Sequence, residues 1–412
     1  MLISRLSCCP YRKPEIKRSS GSSLYFILVF FVYLGQNSFH FPFYRCGIAG
    51  VVVVEYILLP LLLLISGFLY GQQDSLDIKI GQMLMIGFPG TSISADDPVM
   101  SEIKQGKVGG IVFFEKNIAP ERSMLTLKDM IWRMQSAADI PLLIAIDQEG
   151  GRVNRMKTKY GFPKSVTAEY LGTQPLDSTR YYAELTAGTL AATGINVNFA
   201  PVVDLAINPD NPIIAGVDRS YSADAENVTA RAAEVIKAHR KSHIGTALKH
   251  FPGHGSSVAD THLGMADVTD TWLDEELDPY RTLEEKGMID GVMSSHIVNR
   301  KLDPEGLPGT LSKPILTDLL RNRIGYDGVI YSDDMQMKAI TLHYGLEKAI
   351  ELGINAGLDV LIFSNNIQES EERTVDTVHR IIRNLVESGA ISEERINESY
   401  QRIIRLKLRL EL

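Results

Sequence analysis

Cysteine is missing from most of this chain: the three present are Cys8, Cys9 and Cys46. Everything past residue 71 is therefore without disulfides, thiolate nucleophiles or thiolate-ligated zinc. No G-x-G-x-x-G follows the first apolar run, where the chain reads "IGFPGTSISADD". That removes the usual dinucleotide fingerprint. Neither H-E-x-x-H nor His-x-His occurs, so the common helical zinc signature is absent too. Positive charge is scarce. The formal net charge is −8, and residues 1–71 carry about +4 of their own, which leaves the remainder near −12. Nucleic acid needs a basic surface, and an acidic body does not provide one.

What is present divides at residue 71. Before it stand two apolar runs, "LYFILVFFVYLG" (24–35) and "GIAGVVVVEYILLPLLLLISGFLYG" (47–71). The second is long enough to span a bilayer. Glu55 would cost a membrane helix about 2.5–3.5 kcal/mol if it lay at the centre. "ILLPLLLLISGFLYG" has the length of a signal-peptide apolar region, with Gly71 before a polar stretch. Residues 1–71 are thus expected to be a leader that sends the protein to the periplasm or outside the cell. The alternatives are a retained membrane anchor and a true start downstream of Met1.

From residue 77 onward, short apolar runs alternate with amphipathic stretches. The runs cover 84–88, 109–114, 141–147, 196–204, 245–251, 291–298, 328–334 and 359–365. Continuous apolar strands belong in a sheet buried on both faces. Helices are expected at Asp224–Lys241, Trp272–Lys286 and Leu342–Ala356, each with a glycine close behind, and at Ser392–Leu408, where Ile396, Tyr400, Ile403 and Ile404 share a face. Eight strand-plus-connection units over roughly 290 residues suit a single (β/α)8 TIM barrel. That makes 72–412 one catalytic domain. A doubly wound open sheet is the competing architecture, because counting strands does not prove closure.

In such a barrel the reactive groups lie where strands end at the C-terminal face. Asp147, Asp204, Lys249, His250, His296, Asp333 and Asp334 fall on strand ends, with Arg152 and Arg219 in the loops that follow. Acids, bases and cations converging on one mouth point to an enzyme for a polar substrate. Several of these have plainer roles open to them. Asp334 could cap the next helix, Asp204 could be structural, and Arg152 could brace its loop. His296 could be a packed core histidine, His254 a loop brace, and His243 a solvated charge at a helix C-terminus. Two chemistries fit the pattern. In a metal hydrolase, Asp147, His250, His254, Asp260 and His262 would be ligands. In a retaining glycosidase, Asp333 would be the nucleophile, and the Asp260-x-His262 pair would supply a carboxylate-oriented proton donor.

Three stretches then narrow the choice: "KHFPGHGSSVADTHLGM" (249–265), "AIDQEGGRVNRM" (145–156) and "GVIYSDDMQMKAI" (328–340). Together they resemble glycoside hydrolase family 3, in its single-domain bacterial β-N-acetylglucosaminidase branch. The likeness covers about residues 75–410. It implies Asp333 as nucleophile, His262 as acid/base and Asp260 as its partner. It implies sugar-hydroxyl contacts from Asp147, Arg219, Lys249 and His250, with Arg152 carried over from the same motif as Asp147. It implies no cofactor and no metal. The partner would be a small carbohydrate, such as an N-acetylglucosaminide, muropeptide or chitooligosaccharide, and the state monomeric. Two departures stand out. "D-R-S" (218–220) replaces the family's E-R-S, and an export leader is unusual where the branch works in the cytoplasm. N-terminal sequencing of the mature protein should begin at Gln72, and an intact Met1 would leave the anchor reading.

Overall fold

Eight short parallel strands close into a barrel. The computed structural model describes residues 74–259, 264–365 and 374–412. The leader expected over 1–71, and both Asp260 and His262, lie outside the described residues. The barrel strands are β1 (Leu84–Ile86), β2 (Gly110–Phe113), β3 (Leu143–Ile146), β4 (Val197–Asn198), β5 (Gly245–Phe251), β7 (Gly291–Ser294), β9 (Val329–Asp334) and β10 (Val360–Phe363). They pair in the order β1-β10-β9-β7-β5-β4-β3-β2, and the β1–β2 pairing completes the ring. Closure decides for the TIM barrel over the open sheet. β6 (Ala266–Asp267) and β8 (Ile297–Val298) form a separate two-stranded sheet.

Nearly every residue of these barrel strands is buried, as expected where side chains fill the interior on one face and meet the helical ring on the other. The helix Ala225–Lys241 shows how the ring is specified. Asp224 caps it by accepting the Glu226 N–H at 3.1 Å, and His239, Arg240 and Lys241 stand in its last turn. Val228, Ala232, Val235 and Ile236 form its buried stripe. The final helix, Glu393–Arg409, is capped by Ser392 and buries Ile396, Ser399, Ile403 and Leu406. Its buried face is therefore centred one position away from the expected one, and Tyr400 and Ile404 sit at the edge. Among the described residues no helix is long and apolar enough to cross a membrane.

Three elements differ from the sequence reading. The helix expected at Trp272–Lys286 is a 3-10 turn, Asp274–Leu277, followed by an α-helix, Asp278–Glu285. Pro279 explains the break, because proline is tolerated in the first turn of a helix and not in its interior. The expected Leu342–Ala356 helix begins only at Leu346, since Gly345 before it takes φ +70°. Strand four is paired only at Val197–Asn198. Pro201 has no N–H for a ladder, so the chain rejoins β5 through an isolated bridge between Val202 and Lys249.

The N-terminal rim is sewn by polar residues standing just before strands. Asn196 accepts the Ile144 N–H at 2.7 Å. Asp290 accepts from Thr246 N and Oγ1 and from Arg240. Asp359, fully buried, accepts from Arg321 at 2.6 Å, from Ile330 N at 2.9 Å, from Ser399 at 2.8 Å and from Arg395 at 3.2 Å. Removing one member of such a buried cluster leaves the opposing charges uncompensated. Asp359→Ala should lower unfolding free energy by about 3–5 kcal/mol in urea titrations.

Candidate active site

Three strands bring a compact charge network to the C-terminal mouth. Asp147 follows β3 directly, and Glu149 lies two residues on. Lys249 and His250 stand just before the last residue of β5, Phe251. The Lys249 ammonium is almost completely enclosed and reaches Asp147 Oδ1 at 2.8 Å and Glu149 Oε1 at 2.6 Å. Arg219 grips Glu149 with two parallel bonds, Nε to Oε2 and Nη2 to Oε1, each 2.8 Å. Its Nη1 donates to the Ile213 carbonyl at 2.9 Å, which fixes the fork. Arg155 Nη2 approaches Asp147 Oδ2 at 3.5 Å.

His250 joins this network to a second carboxylate. Its Nδ1 meets Asp204 Oδ2 at 2.7 Å, and Asp204 Oδ1 accepts the backbone N–H of His250 at 3.1 Å and of His254 at 2.8 Å. Its Nε2 faces Arg219 Nη2 at 3.3 Å. The guanidinium can only donate. The consistent tautomer therefore carries hydrogen on Nδ1, toward Asp204, and accepts at Nε2. Asp204 is structural, as the sequence suggests, and also orients the neighbouring imidazole.

Local backbone puts these groups in place. Gly150 and Gly151 take φ of +101° and +59°, and the turn is closed by Glu149 and Gly150 N–H bonds to the Val153 carbonyl. A Cβ on Gly150 would fall 2.4 Å from the Val166 carbonyl oxygen. This left-handed turn directs Glu149 into the network and leaves Arg152 exposed, outside it. Arg155 approaches Asp147 in its stead. Ser220 of the D-R-S stretch donates to the Asp204 carbonyl at 2.7 Å and ties the Arg219 loop to the strand beside it.

The electrostatics follow from the pairing. Burial opposes ionisation of Asp147, but Lys249 and Arg155 outweigh it and hold the carboxyl below its usual range. Burial likewise opposes ionisation of Glu149, and Arg219 with Lys249 overcome it and hold this carboxyl well below its usual range. Asp204 is likewise held below its usual range against burial, with hydrogen bonds from the His250 ring and the His254 backbone N–H favouring its charged form. Of the ligands in the metal arrangement, Asp147 is engaged by two cations and His250 lies between Asp204 and Arg219, while Asp260 and His262 lie outside the described residues. Among the described residues no cluster of three or more His, Cys, Asp or Glu is placed to hold a metal ion.

At the end of β9 the two acids are differently occupied. Asp334 Oδ1 accepts the N–H of Gln336 at 3.1 Å and of Ser364 at 3.2 Å, and Oδ2 accepts the Ser364 hydroxyl. It clamps β9 to the exit of β10 and does not cap a helix, since the next one starts after Met337. Burial raises its carboxyl above the ordinary range. Asp333 is half-buried at the mouth, and its Oδ1 accepts the Asp334 N–H at 2.8 Å. Beneath them His296 is fully buried. Nε2 meets the Asp334 carbonyl at 3.0 Å and Nδ1 the Thr310 hydroxyl at 2.8 Å, so it is a core brace. His243 is exposed beside Glu411.

Residues 75–406 match the glycosyl hydrolase family 3 N-terminal domain. The chain belongs to glycosyl hydrolase family 3. A beta-hexosaminidase from Tolumonas auensis is 33% identical over 287 residues, covering 69% of this chain and 83% of that protein. One from Xanthomonas campestris pv. campestris is 33% identical over 323 residues, covering 75% and 93%. Among solved structures, a family 3 β-N-acetylglucosaminidase from Paenibacillus sp. superposes with a TM-score of 0.75 at 35% identity, covering 82% of this chain. The chain spans 63% of that larger protein. Sequence reasoning placed Asp147, Arg219, Lys249 and His250 in one site of this family 3 barrel, and the structure does bring them together. It missed Glu149 and Arg155, both within the quoted "AIDQEGGRVNRM". The signal for Glu149 was a carboxylate directly before the glycine turn.

Glu149→Ala should therefore impair this family 3 protein in two ways. It leaves Lys249 and Arg219 short of a buried partner, at a cost of about 2–5 kcal/mol. It should also lower kcat/KM on an aryl glycoside by about tenfold or more. The pH sign follows from the depressed Asp147 and Glu149 carboxyls. Their stabilisation is complete above about pH 4.5 and is lost as pH falls through the depressed values. Acid unfolding of the variant should accordingly be less steep than that of the wild type.

Proposed function

We propose that the protein is a β-N-acetylhexosaminidase that removes terminal β-linked N-acetylglucosamine with retention. Its substrates would be peptidoglycan fragments or related oligosaccharides. The observation that carries this reading is the buried Asp147–Lys249–Glu149–Arg219 network at the same C-terminal mouth as the end of β9, in a family 3 barrel whose curated relatives are named beta-hexosaminidases. Carboxylates and cations held in fixed positions are suited to gripping several sugar hydroxyls at once. Asp147, Arg219, Lys249 and His250 make that grip in this reading, and Arg155 takes the place considered for Arg152.

The chemistry proceeds in two displacements. Asp333 attacks the anomeric carbon while His262 gives a proton to the departing oxygen. Asp260, two residues away, stabilises the imidazolium by its charge. A covalent glycosyl-enzyme on Asp333 results. His262 then takes a proton from water, which attacks the anomeric carbon from the vacated face and restores Asp333. Asp333 stands on a strand with its Oδ1 held by the next backbone N–H, which limits the nucleophile's freedom. The apolar leader supports an exported enzyme, acting on sugar polymers beyond the cytoplasm.

The test is kinetic. Asp333→Ala should abolish turnover of an aryl β-N-acetylglucosaminide while leaving the fold intact by circular dichroism. His262→Ala should slow alkyl or disaccharide substrates by about 10²–10⁴-fold and activated aryl ones far less, because only poor leaving groups need protonation. Wild-type turnover in the first variant, or equal losses in the second, would sink the assignment. Preference for a β-glucoside or β-xyloside over the N-acetylglucosaminide would overturn the substrate class.

A further inference from the structure

Arg219 and Arg155 reach the same mouth and are held very differently. Arg219 spends three bonds on Glu149 and the Ile213 carbonyl. Arg155 Nε is buried without a hydrogen-bond partner. Its approach to a carboxylate, Nη2 to Asp147 Oδ2, is 3.5 Å, at the outer edge of hydrogen-bond range. The backbone around it is well fixed. Gln148 Oε1 accepts the N–H groups of Arg155 and Met156 at 3.0 and 3.1 Å. Gln148 Nε2 donates to Asn154 Oδ1 at 2.7 Å, and Asn154 Nδ2 donates to Ser165 Oγ at 2.7 Å. These bonds fix where the Arg155 side chain starts, and leave its direction to be set by something else.

An aromatic ring lies against the guanidinium. Arg155 Cζ stands 5.7 Å from the centroid of Phe114, within cation–π range, and a planar guanidinium is suited to stacking on such a face. Phe114 is half-buried and follows β2 directly. Its own place is well determined. The Phe114 N–H donates to Asn117 Oδ1 at 2.9 Å, and the Asn117 amide donates to the Phe88 and Gly90 carbonyls, each at 2.9 Å. A Cβ on Gly87 would fall 3.3 Å from Phe114 Cε2, so the ring lies close to the exit of β1. Lys116 Nζ is also 5.7 Å from the ring centroid and donates to the Asn365 carbonyl at 3.3 Å. The next residue, Glu115, fastens the Arg155 loop further along. Its carboxylate meets Lys157 at 2.5 Å, Lys159 at 2.8 Å and the Tyr160 hydroxyl at 3.0 Å.

We infer that Phe114 is a positioning residue that aims Arg155 into the sugar grip, its ring serving as the seat of the guanidinium. The inference rests on the reading of Arg155 as a member of that grip. An aromatic seat has a chemical advantage over an acidic one. A carboxylate would take two of the five guanidinium donors in a bidentate pair, whereas a ring face takes none. The ring therefore restricts the side chain and leaves its N–H groups for a sugar hydroxyl or carbonyl. Phe114 acts through Arg155 and has no part in proton transfer.

The experiment is a double-mutant cycle in the full chain, read as kcat and KM on a nitrophenyl β-N-acetylglucosaminide. It compares Phe114→Leu, Arg155→Ala and the two together, with Phe114→Tyr alongside. Phe114→Leu keeps an apolar side chain and removes the ring. It should lower kcat/KM by about fivefold, mostly through KM, and Phe114→Tyr, which restores the ring, by about twofold or less. In the Arg155→Ala background the same Phe114→Leu change should cost less than about twofold. Urea titration checks the fold of each variant, and Phe114→Met replaces Phe114→Leu in the cycle should the latter not fold. Equal Phe114→Leu losses with and without Arg155, as a purely structural role gives, would overturn the inference. No loss, or a Phe114→Tyr loss as large as that of Phe114→Leu, would overturn it as well. Arg155→Ala with wild-type kcat/KM would remove Arg155 from the grip and the inference with it, while the Asp333 and His262 tests of the proposed function stand apart. Should a different aryl β-glycoside be preferred, the proposed substrate class fails and the cycle is read on that glycoside instead.

Discussion

The Lys249 ammonium is the interaction on which the site depends. It is a charge buried in a protein interior, and in isolation it would be costly enough to expel or neutralise. It is kept by two carboxylates from a different strand's loop, Asp147 and Glu149. Glu149 is in turn held by Arg219 from a third segment, and Asp147 by Arg155. His250 extends the chain to Asp204. Two carboxylates, Asp147 and Glu149, thus meet three permanent cations, and His250 carries the network on to a third carboxylate, Asp204. No member is near its partner in sequence except Arg155, so the network exists only when β3, β4 and β5 are side by side. The pairing that makes the site also registers these strands against one another.

Much of this was legible in the chain. All eight barrel strands were, because a strand buried on both faces must be continuously apolar and no other soluble segment looks alike. Asp147, Lys249, His250 and Asp333 were visible because each is a polar residue at or near the end of such a run. What was not legible shares one physical cause. In "GGRVNRM" two arginines are three residues apart, and nothing in spacing tells which meets Asp147. The left-handed Gly150–Gly151 turn decides it, by exposing Arg152 and bringing Arg155 round. Glu149 was hidden for the same reason. The break in the Trp272–Lys286 helix could have been read from Pro279, had its first-turn preference been weighed against the amphipathic period.

Carboxylates at the two rims of the barrel are used differently. Asp290 and Asp359 precede strands and are matched by arginines from the surrounding helices and by strand N–H groups. Their hydrogen bonds are nearly complete, and the result is rigidity. At the opposite rim the satisfaction is uneven. Glu149 is gripped on both oxygens by Arg219, whereas Glu276, on the 3-10 turn Asp274–Leu277, accepts the Gly255 N–H at 2.8 Å. Against burial, the Arg219 and Lys249 charges keep the first below its ordinary range, while burial pushes the second up. The same side chain is therefore a permanent charge in one place and a titrating group in another.

The S-D-D end of β9 shows why adjacent acids need not compete. Successive residues of a strand face opposite ways, so Asp333 and Asp334 cannot occupy the same space. Asp334 turns to β10, where Ser364 and the Gln336 N–H absorb both of its oxygens. A carboxyl so placed is a strut. It also fixes the peptide between the two residues, whose N–H is bonded to Asp333 Oδ1 and whose neighbouring carbonyl is held by His296. The proposed nucleophile, the first acid of the motif, is the one of the two that is left facing the mouth. The second acid's side chain is taken up by Gln336 and Ser364, and its backbone N–H meets the first.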